Sequence, residues 1–463
     1  MSGLFGVIGK SNCVEILFYG TDYHSHLGTS KGGIAVFNRK ILLSVKDIST
    51  SQFKSVFLEE LERLRGKSGV GVISDKDIQP VVAFSSFGTF AVAFSGLIQN
   101  KKKLVQELLK EKESFSYLLD GQINSAELIA KLIAQGKDIL EGIKLATNKI
   151  EGSASLLILT KEGIYCARDK YGRTPLLIGQ NNYFWAVASE TTAFPNLGFI
   201  IKKELKPGEI VLLSKNGAQE FSSSIFEEKI CSFLWIYTGY PASSYDSVNV
   251  ELVRERCGMN LAKNDKIEAD FVTGIPDSGI AHALGYAQAS KIPYRRALVK
   301  YTPGYGRSYT PPSQKIRNMV AKMKLVPIKE VIKGKRIVIC DDSIVRGTQL
   351  KNQAIEKLWY CGAKEIHVRI ACPPLIFPCK YCLSTRTNKE LAAIRAVKKF
   401  LKKSEKIPFK KLLDENSSEY KKMVENIRRE LGVTTLKYQT LRDMIKAIGL
   451  PEERLCLYCW QGR

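Results

Sequence analysis

Arg336–Leu350 reads RIVICDDSIVRGTQL, and this stretch decides the fold class of the second half of the chain. Its first five residues are apolar apart from Arg336 and rich in β-branched side chains, as a buried parallel strand requires. Two adjacent carboxylates follow, Asp341 and Asp342, then small, hydroxyl-bearing and glycine residues from Ser343 to Thr348, and then a helical pattern. Strand, acidic pair, polar loop and helix together predict a site for a phosphorylated sugar. The carboxylates can accept hydrogen bonds from ribose hydroxyls, and the loop amides with the helix N-terminus can hold a phosphate.

Outward from this stretch, strands alternate with helices. Phe271–Thr273 reads as a strand, Ile280–Ser290 as a helix, Ala297–Val299 and Ile337–Cys340 as strands, and Ile366–Cys372 as a further strand. The helix after the acidic loop runs to Cys361, with Gly362 as its stop. This rhythm predicts a parallel sheet with helices on both faces. Gly274-Ile275-Pro276-Asp277-Ser278-Gly279 follows a strand and opens a helix, which suits a diphosphate. Lys300–Leu325, KYTPGYGRSYTPPSQKIRNMVAKMKL, is basic and rich in Gly, Pro and Tyr, as a lid would be. Asn388–Leu450 reads as helical and lysine-rich. Before about Ser222–Ile230 the pattern differs: GLFGVIG, GGIAVF, KILLSV, GVGVIS, QPVVAFS, TFAVAFSG, SASLLILT, GIYCARD, PLLIG, YFWAVAS and EIVLLS are short strand-like runs punctuated by Gly, Asn, Asp and Ser. Helical patterns interrupt them at Ser51–Arg65, Lys102–Glu111 and Ala126–Gln135. Many strands with few helices predict stacked sheets with helices packed outside.

Composition sets the bounds. A chain of 463 residues with 44% hydrophobic and 9% aromatic content has ample core for two globular domains. No apolar run approaches a membrane span, and MSGLFGVIGK has no basic segment ahead of a long apolar one, so neither membrane insertion nor secretion is expected. The net charge of +24 raises nucleic-acid binding, but the lysines are dispersed and no nucleic-acid motif accompanies them. Their main cluster, Lys398, Lys399, Lys402, Lys403, Lys406, Lys410 and Lys411, reads as a solvated helical face; polyphosphate handling is a compatible second reading. Eleven cysteines without a secretion signal point to a reducing, cytoplasmic compartment and to metal ligation before disulfides.

PDSG, YGRSY, PPSQ, MKL, DDSIVRGT, AKEIHVRI and CPPLIFPC occur in the order found in amidophosphoribosyltransferases, and the resemblance runs from Met1 to about Arg463. It implies an α+β N-terminal domain, residues 1–225, resembling an N-terminal-nucleophile αββα sandwich of the class II glutaminase kind. It implies an α/β type I phosphoribosyltransferase domain with a parallel sheet and a helical, cysteine-containing tail, residues 226–463. The implied substrate is phosphoribosyl diphosphate (PRPP) with Mg²⁺, the product 5-phosphoribosylamine for purine synthesis, and the assembly a homo-oligomer. By the same resemblance Asp341 and Asp342 hold the ribose hydroxyls and help bind magnesium, with Ser278 as the third metal-site residue. Ser343, Ile344, Val345, Arg346, Gly347 and Thr348 form the 5′-phosphate loop. Asp277, Ser278 and Gly279 meet the diphosphate, and Arg307 and Lys324 of the lid neutralise it as it leaves.

Two CxxC pairs stand out, Cys379/Cys382 and Cys456/Cys459. Read by themselves they suggest structural zinc. The resemblance implies instead a structural [4Fe-4S] cluster on Cys231, Cys379, Cys456 and Cys459, leaving Cys382 out. The cluster ranks first, zinc on the two pairs second, reduced buried thiols third.

In the first half GLFGVIG, ARDKYGRTPL, ASE and GEIVLL match the glutaminase scaffold, but the family's nucleophilic cysteine is replaced by Ser2. The position of the arginine that holds the glutamine carboxylate carries Ser74. Ser95-Gly96 stands for the Asn-Gly oxyanion pair, Ser125 for the acidic residue that holds the amine, and His24-Ser25-His26-Leu27-Gly28 for the HRGQ-type stretch. His24 and His26 could form a metal pair, though polar loop residues are the plainer reading, and His282 and His367 read as structural. Burying a glutamine carboxylate and amine without charged partners is strongly unfavourable. The expected chemistry is therefore transfer of ammonia, free or from a separate partner, to C1 of PRPP. The rivals are a non-catalytic PRPP- or nucleotide-binding regulator, a transferase using another amine or base, and glutamine chemistry retained through Ser2 as an N-terminal hydroxyl nucleophile.

Overall fold

The structure, a computed structural model, describes residues 2–119, 121–222, 226–263, 265–301, 324–381, 385, 387–401 and 407–462. The chain divides into two compact units. The first is Met1–Ile230 with Ser244–Asp246 and Lys380–Leu383; the second is Cys231–Ser243, Ser247–Cys379 and Ser384–Arg463. Arg307 and most of the lid stretch, and Cys382, lie outside the described residues.

The first unit opens with β1 (Gly3–Gly9), α1 (Val14–Asp22), β2 (Lys31–Asn38), β3 (Lys40–Asp47), β4 (Ser68–Ser74), β5 (Val81–Ser85) and β6 (Gly88–Ile98). Three helices follow, α2 (Lys101–Lys110), α3 (Ser125–Ala134) and α4 (Ile139–Lys149). The unit closes with β7 (Gly152–Leu159), β8 (Ile164–Ala167), β9 (Leu177–Gln180), β10 (Phe184–Ala188), β11 (Ile200–Glu204), β12 (Ile210–Ser214) and β13 (Gly217–Ser222). A seven-stranded sheet has the order β11-β9-β10-β1-β4-β2-β3, and a six-stranded sheet the order β13-β12-β8-β7-β6-β5. Alternation along each strand builds the layers. In β1, Leu4 and Ile8 join Ala91, Ala93, Leu157 and Leu159 between the sheets. Phe5 and Val7 point the other way, to Leu17 and Phe18 of α1. Phe90, Val92, Leu156 and Ile158 meet the apolar faces of α2, α3 and α4. The result is the helix–sheet–sheet–helix sandwich expected. The helix starts are written locally: Asn124 accepts from the amides of Ala126 and Glu127, and Asp138 from that of Glu141. The pattern expected to be one helix over Ser51–Arg65 is instead two short pieces, Phe53–Phe57 and Glu60–Arg63.

Residues from far along the chain complete this unit. Tyr245 is buried, and its hydroxyl acts on the buried Glu190. The guanidinium carbon of Arg173 lies 4.3 Å from the ring centre of Tyr171 and 3.2 Å from that of Tyr381.

The second unit contains α5 (Val250–Lys263), β14 (Phe271–Gly274), α6 (Gly279–Ser290), β15 (Arg336–Asp341), β16 (Glu365–Ile370), α7 (Ser418–Leu431), β17 (Thr435–Tyr438) and α8 (Leu441–Ile448). The sheet order is β14-β15-β16-β17, every pair parallel. Ile337, Val338, Ile339 and Cys340 are fully buried, which explains their continuous apolar run. Two expectations need correction. The segment at Ala297–Val299 does not join this sheet; Leu298–Lys300 pairs antiparallel with Leu325–Pro327 as a separate ribbon. The tail expected to be helical contains β17, framed by α7 and α8, each of which ends at a left-handed glycine, Gly432 (φ 70°) and Gly449 (φ 84°).

α5 and α6 approach closely because each carries a glycine at the crossing. A methyl group on Gly258 would lie 1.9 Å from the carbonyl oxygen of His282, and one on Gly285 1.9 Å from that of Glu255. Glycine is a poor interior helix residue, and the lack of a side chain is what permits this packing.

Candidate active site

The acidic pair sits at the C-terminal end of β15, beside the end of β14. This is where open parallel sheets bind ligands. A backbone contact ties the loop after β14 to the end of β15, and another closes the β14 loop on itself. The amide of Ile275 donates to the carbonyl of Cys340 (3.0 Å), and that of Gly279 to the carbonyl of Ile275 (2.8 Å). A methyl group on Gly279 would stand 2.5 Å from the Cys340 oxygen, so the small residue read from the sequence is required by the close approach of the two loops.

Asp342 is buried and Asp341 half-buried. The amide of Asp342 donates to Asp341 Oδ1 at 3.0 Å. The hydroxyls of Ser278 and Ser343 bond to Asp342. Burial first, and then the neighbouring charge of Asp342, pushes the Asp341 carboxyl well above its ordinary range. Asp342 is also raised by burial, opposed by its bonds to Ser278 and Ser343 and by the charge of Arg254. Asp342 disfavours the ionisation of Asp341, and a buried pair held in this way gains from a bound cation.

Asp277 is exposed and pairs with Lys300. Lys324 is half-buried at the edge of the lid stretch, and its carbonyl accepts from the amide of Tyr301 at 2.9 Å. In the loop after Asp342, Ile344 is buried, Ser343, Val345 and Gly347 are half-buried, and Arg346 and Thr348 are exposed. Gly347 adopts φ 79°, the turn into the helix that follows. The loop is braced from outside: Val345 accepts from the amide of Ala392 (2.8 Å), the Arg346 carbonyl from Arg395 (2.7 Å), and the Arg346 side chain pairs with Glu390. Thus Ser278, Gly279, Asp341, Asp342 and the 343–348 loop come together as read from the sequence. Lys300, Arg254 and Arg395 were not read from it.

The thiols of Cys231, Cys379, Cys456 and Cys459 also gather. The proton of Cys459 is held well above the usual thiol range by its hydrogen bond with Cys379, by burial, and by the nearby Cys231 and Cys456. The backbone supports the arrangement. The carbonyl of Cys459 accepts from the amides of Ile376 and Phe377 (both 3.0 Å), that of Cys456 from Ser232 Oγ (3.0 Å), and the amide of Cys379 donates to Thr385 Oγ1 (3.0 Å). Among the described residues no three His, Cys, Asp or Glu side chains stand in a geometry that would hold a metal ion.

In the first unit, Ser2 precedes β1. Its amide donates to Ser95 Oγ (3.2 Å), Ser95 Oγ donates to its carbonyl (2.7 Å), and Gln79 Nε2 donates to its hydroxyl (3.2 Å). The Gln79 side chain is fully buried and also bonds both backbone groups of Phe94. Ser74 ends β4 buried, with its hydroxyl accepting from the Lys76 amide at 3.3 Å. Gly96 (φ 151°) packs so that a methyl group would lie 1.9 Å from the carbonyl of Ser153. Ser125 begins α3; its amide donates to Asp77 (2.9 Å) and its hydroxyl accepts from Lys101 (3.0 Å).

His24 and His26 lie in the turn after α1, as the plainer reading expects, but neither is a solvated loop residue. His24 is fully buried, bonded through Nδ1 to the Gly20 carbonyl (2.7 Å), and burial holds its pKa down at about 4. His26 pairs with Glu190 at 3.0 Å. Burial works to raise the Glu190 carboxyl, but His26, His24 and the Tyr245 hydroxyl bring it below the usual range. No helix among the described residues is long and apolar enough to cross a membrane.

Comparison with known proteins places these two units together in one kind of chain. A glutamine amidotransferase domain family model matches residues 66–196. The amidophosphoribosyltransferase of Methanocaldococcus jannaschii is 32% identical, the match spanning 100% of this chain and 97% of that one. That of Bacillus subtilis is also 32% identical, over 100% and 93%. A solved structure of the glutamine PRPP amidotransferase from B. subtilis, complexed with ADP and GMP, superposes with a TM-score of 0.85 at 32% identity, covering 100% of this chain and 96% of that one. Another, described as the allosteric regulatory enzyme of purine biosynthesis, gives a TM-score of 0.85 at 32% identity, covering 100% and 95%.

Proposed function

The chain belongs to the amidophosphoribosyltransferase family, and from that premise we propose that it binds Mg-PRPP at the Asp341–Asp342 loop and places ammonia on C1 to give 5-phosphoribosylamine. The observation that carries this reading is the meeting of the acidic pair with Ser278 and Gly279 at the ends of two adjacent parallel strands. Asp341 and Asp342 accept the ribose hydroxyls, and the 343–348 loop holds the 5′-phosphate on its amides. Asp277, Ser278 and Gly279 line the side that would meet the diphosphate, with Lys300, and Lys324 and Arg307 of the lid stretch, as the cations opposite the charge that develops on it. Magnesium bound with PRPP at Asp341, Asp342 and Ser278 would neutralise the pair and polarise the leaving diphosphate.

Side chains of the first unit support ammonia as the nitrogen source. The positions matched to the glutamine-holding arginine, oxyanion asparagine and amine-holding acid are Ser74, Ser95 and Ser125, and the partners of Ser2 are the neutral Ser95 and Gln79. Asp77 does come near, but it is engaged by the Ser125 amide and faces Lys101. A glutamine zwitterion would find no arginine or free carboxylate at the matched positions. On this reading the first unit, which runs to Ile230 where the sequence placed the boundary at 225 and which takes in residues 244–246 and 380–383, is a non-hydrolysing scaffold. Purified protein given PRPP and Mg²⁺ is expected to release diphosphate with ammonium and not with glutamine. Equal rates with both would overturn the loss of glutamine chemistry, and tight PRPP binding with no release under either would favour a regulator.

The four gathered thiols suit a [4Fe-4S] cluster in a structural role. Cys459, whose ionisation its neighbours oppose, would be relieved by a cationic cluster that takes the four as thiolates. Cys231, Cys379, Cys456 and Cys459 would hold it. Protein purified without oxygen should be brown, absorb broadly in the visible, and carry iron with acid-labile sulfide. Colourless protein containing zinc would assign the site to zinc instead.

A further inference from the structure

The 343–348 loop is held from behind by a segment to which the transferase reading gives no task. Ala392–Lys398 is a short helix whose Ala392, Ala393, Ile394, Ala396 and Val397 are buried, which makes it a fixed platform. Its first amide, that of Ala392, donates to the carbonyl of Val345 at 2.8 Å. A turn later, Nη2 of the half-buried Arg395 donates to the carbonyl of Arg346 at 2.7 Å. The same guanidinium is fixed on two further sides. Nη1 donates to the carbonyl of Glu390 at 2.9 Å, and Nη2 meets Glu430 Oε1 of α7 at 3.1 Å. The next loop residue, Gly347, also lies against α7: a methyl group on it would stand 3.6 Å from Leu431 Cδ2.

A peptide unit is planar and trans, so its carbonyl and its N–H point in opposite directions. The carbonyls of Val345 and Arg346 belong to the units that carry the amides of Arg346 and Gly347. With both carbonyls held by the platform, both amides face away from it, and neither has a backbone acceptor among the described residues. The second of these units most needs holding. Gly347 sits at φ 79°, and glycine adopts either sign of φ, so the unit between Arg346 and Gly347 can turn over without a side-chain clash. Turned over, it would present a carbonyl oxygen where a phosphate needs a donor. That turn breaks the bond from Arg395 to the Arg346 carbonyl, so Arg395 opposes it.

We propose that Arg395 is a positioning residue for recognition of the sugar's 5′-phosphate: by holding the Arg346 carbonyl outward it keeps the Gly347 amide aimed at the phosphate. This rests on the phosphoribosyl reading of the loop. A guanidinium suits the task because its planar fork of donors holds the loop, the start of the platform and α7 at once.

Calorimetric titration of the full chain compares the unsubstituted protein with Arg395→Met, each well below its unfolding temperature. Two probes are used with Mg²⁺: PRPP, which carries the 5′-phosphate, and inorganic diphosphate, which does not. Arg395→Met is expected to weaken PRPP binding about tenfold or more, as loss of one N–H bond to a charged group would, and to leave diphosphate binding within about twofold. With ammonium as acceptor, KM for PRPP should rise by a similar factor while kcat changes far less, since the 5′-phosphate is remote from C1. Equal weakening of both probes would overturn the proposal, because an arginine that merely supports the fold loosens the whole site. PRPP binding within about twofold of the unsubstituted chain would overturn it too. Should Arg395→Met fail to fold, Arg395→Gln, whose donor stops short of where Nη2 lies, takes its place and the same outcomes decide. Absence of PRPP binding by the unsubstituted chain would reject the phosphoribosyl reading itself, and the role of Arg395 with it, before any variant is compared.

Discussion

Asp341→Asn is expected to slow diphosphate release from PRPP by about a hundredfold or more and, at mildly alkaline pH, to raise the unfolding temperature of the unit that carries it. Both effects have one cause. The carboxyl is desolvated and stands beside Asp342, so the folded protein holds its proton more tightly than the unfolded chain does. A carboxyl whose folded pKa is raised makes stability fall as pH climbs from the ordinary carboxylate value through the raised one, because deprotonation is then favoured by unfolding. Asparagine keeps the shape and omits the charge. The stability difference between the variant and the unsubstituted chain should therefore be largest at mildly alkaline pH and vanish below the ordinary carboxylate range. Mg²⁺ with PRPP should stabilise the unsubstituted chain most where the variant's advantage is greatest. Thermal scans across pH, with and without Mg-PRPP, check this; a variant less stable than its parent at alkaline pH would show that the pair is not strained by its charge.

Gly258→Ala is expected to cost about 3 kcal/mol of stability in the second unit, a large effect for one methyl group. On an exposed helix the same change would be stabilising by roughly 1 kcal/mol. Here the added carbon would lie 1.9 Å from the His282 carbonyl and 2.7 Å from the Tyr286 nitrogen, both backbone atoms with no rotamer to adopt. α5 and α6 must separate, and the α6 terminus at Gly279 moves with them. PRPP affinity should fall alongside stability. Urea unfolding, followed in the transition that PRPP shifts, measures the first, and calorimetry the second. An alanine variant as stable as its parent would mean that the two helices are not held at this spacing.

The clearest strands in the sequence are interior ones, although the outer strands β3, β5 and β14 were also read from it. GLFGVIG, GVGVIS and SASLLILT lie inside their sheets, and their apolar runs are unbroken because both faces are covered. The strands that went unread are sheet edges. β11, IIKKE, is the outer strand of one sheet, β13, GAQEFS, of the other, and β17, TLKY, of the parallel one. An edge strand faces water on one side and carries the polar residues that keep it from pairing elsewhere, so its pattern resembles a loop or an exposed helix. The acidic loop was legible because its residue types carry the chemistry. Arg254 was not, since VRER on a helix looks like a solvated face until the fold turns it inward, and Lys300 has no local motif. His24 was rightly placed in a loop, but its neighbours Tyr23 and Ser25 give no local sign that its ring is enclosed.

Residues 244–246 and 380–383 belong to the first unit although the chain reaches them only after entering the second. The gene therefore has no single point at which the amidotransferase-like half can be cleanly excised. Ending the chain at Ile230 would remove the Tyr245 hydroxyl that acts on Glu190 and one of the two rings between which Arg173 lies, at positions 1% and 8% exposed. Buried charged groups deprived of such neighbours are costly to keep. On the proposed reading, a lineage that no longer uses glutamine retains the domain because its folding is written into the same stretches of message as the transferase.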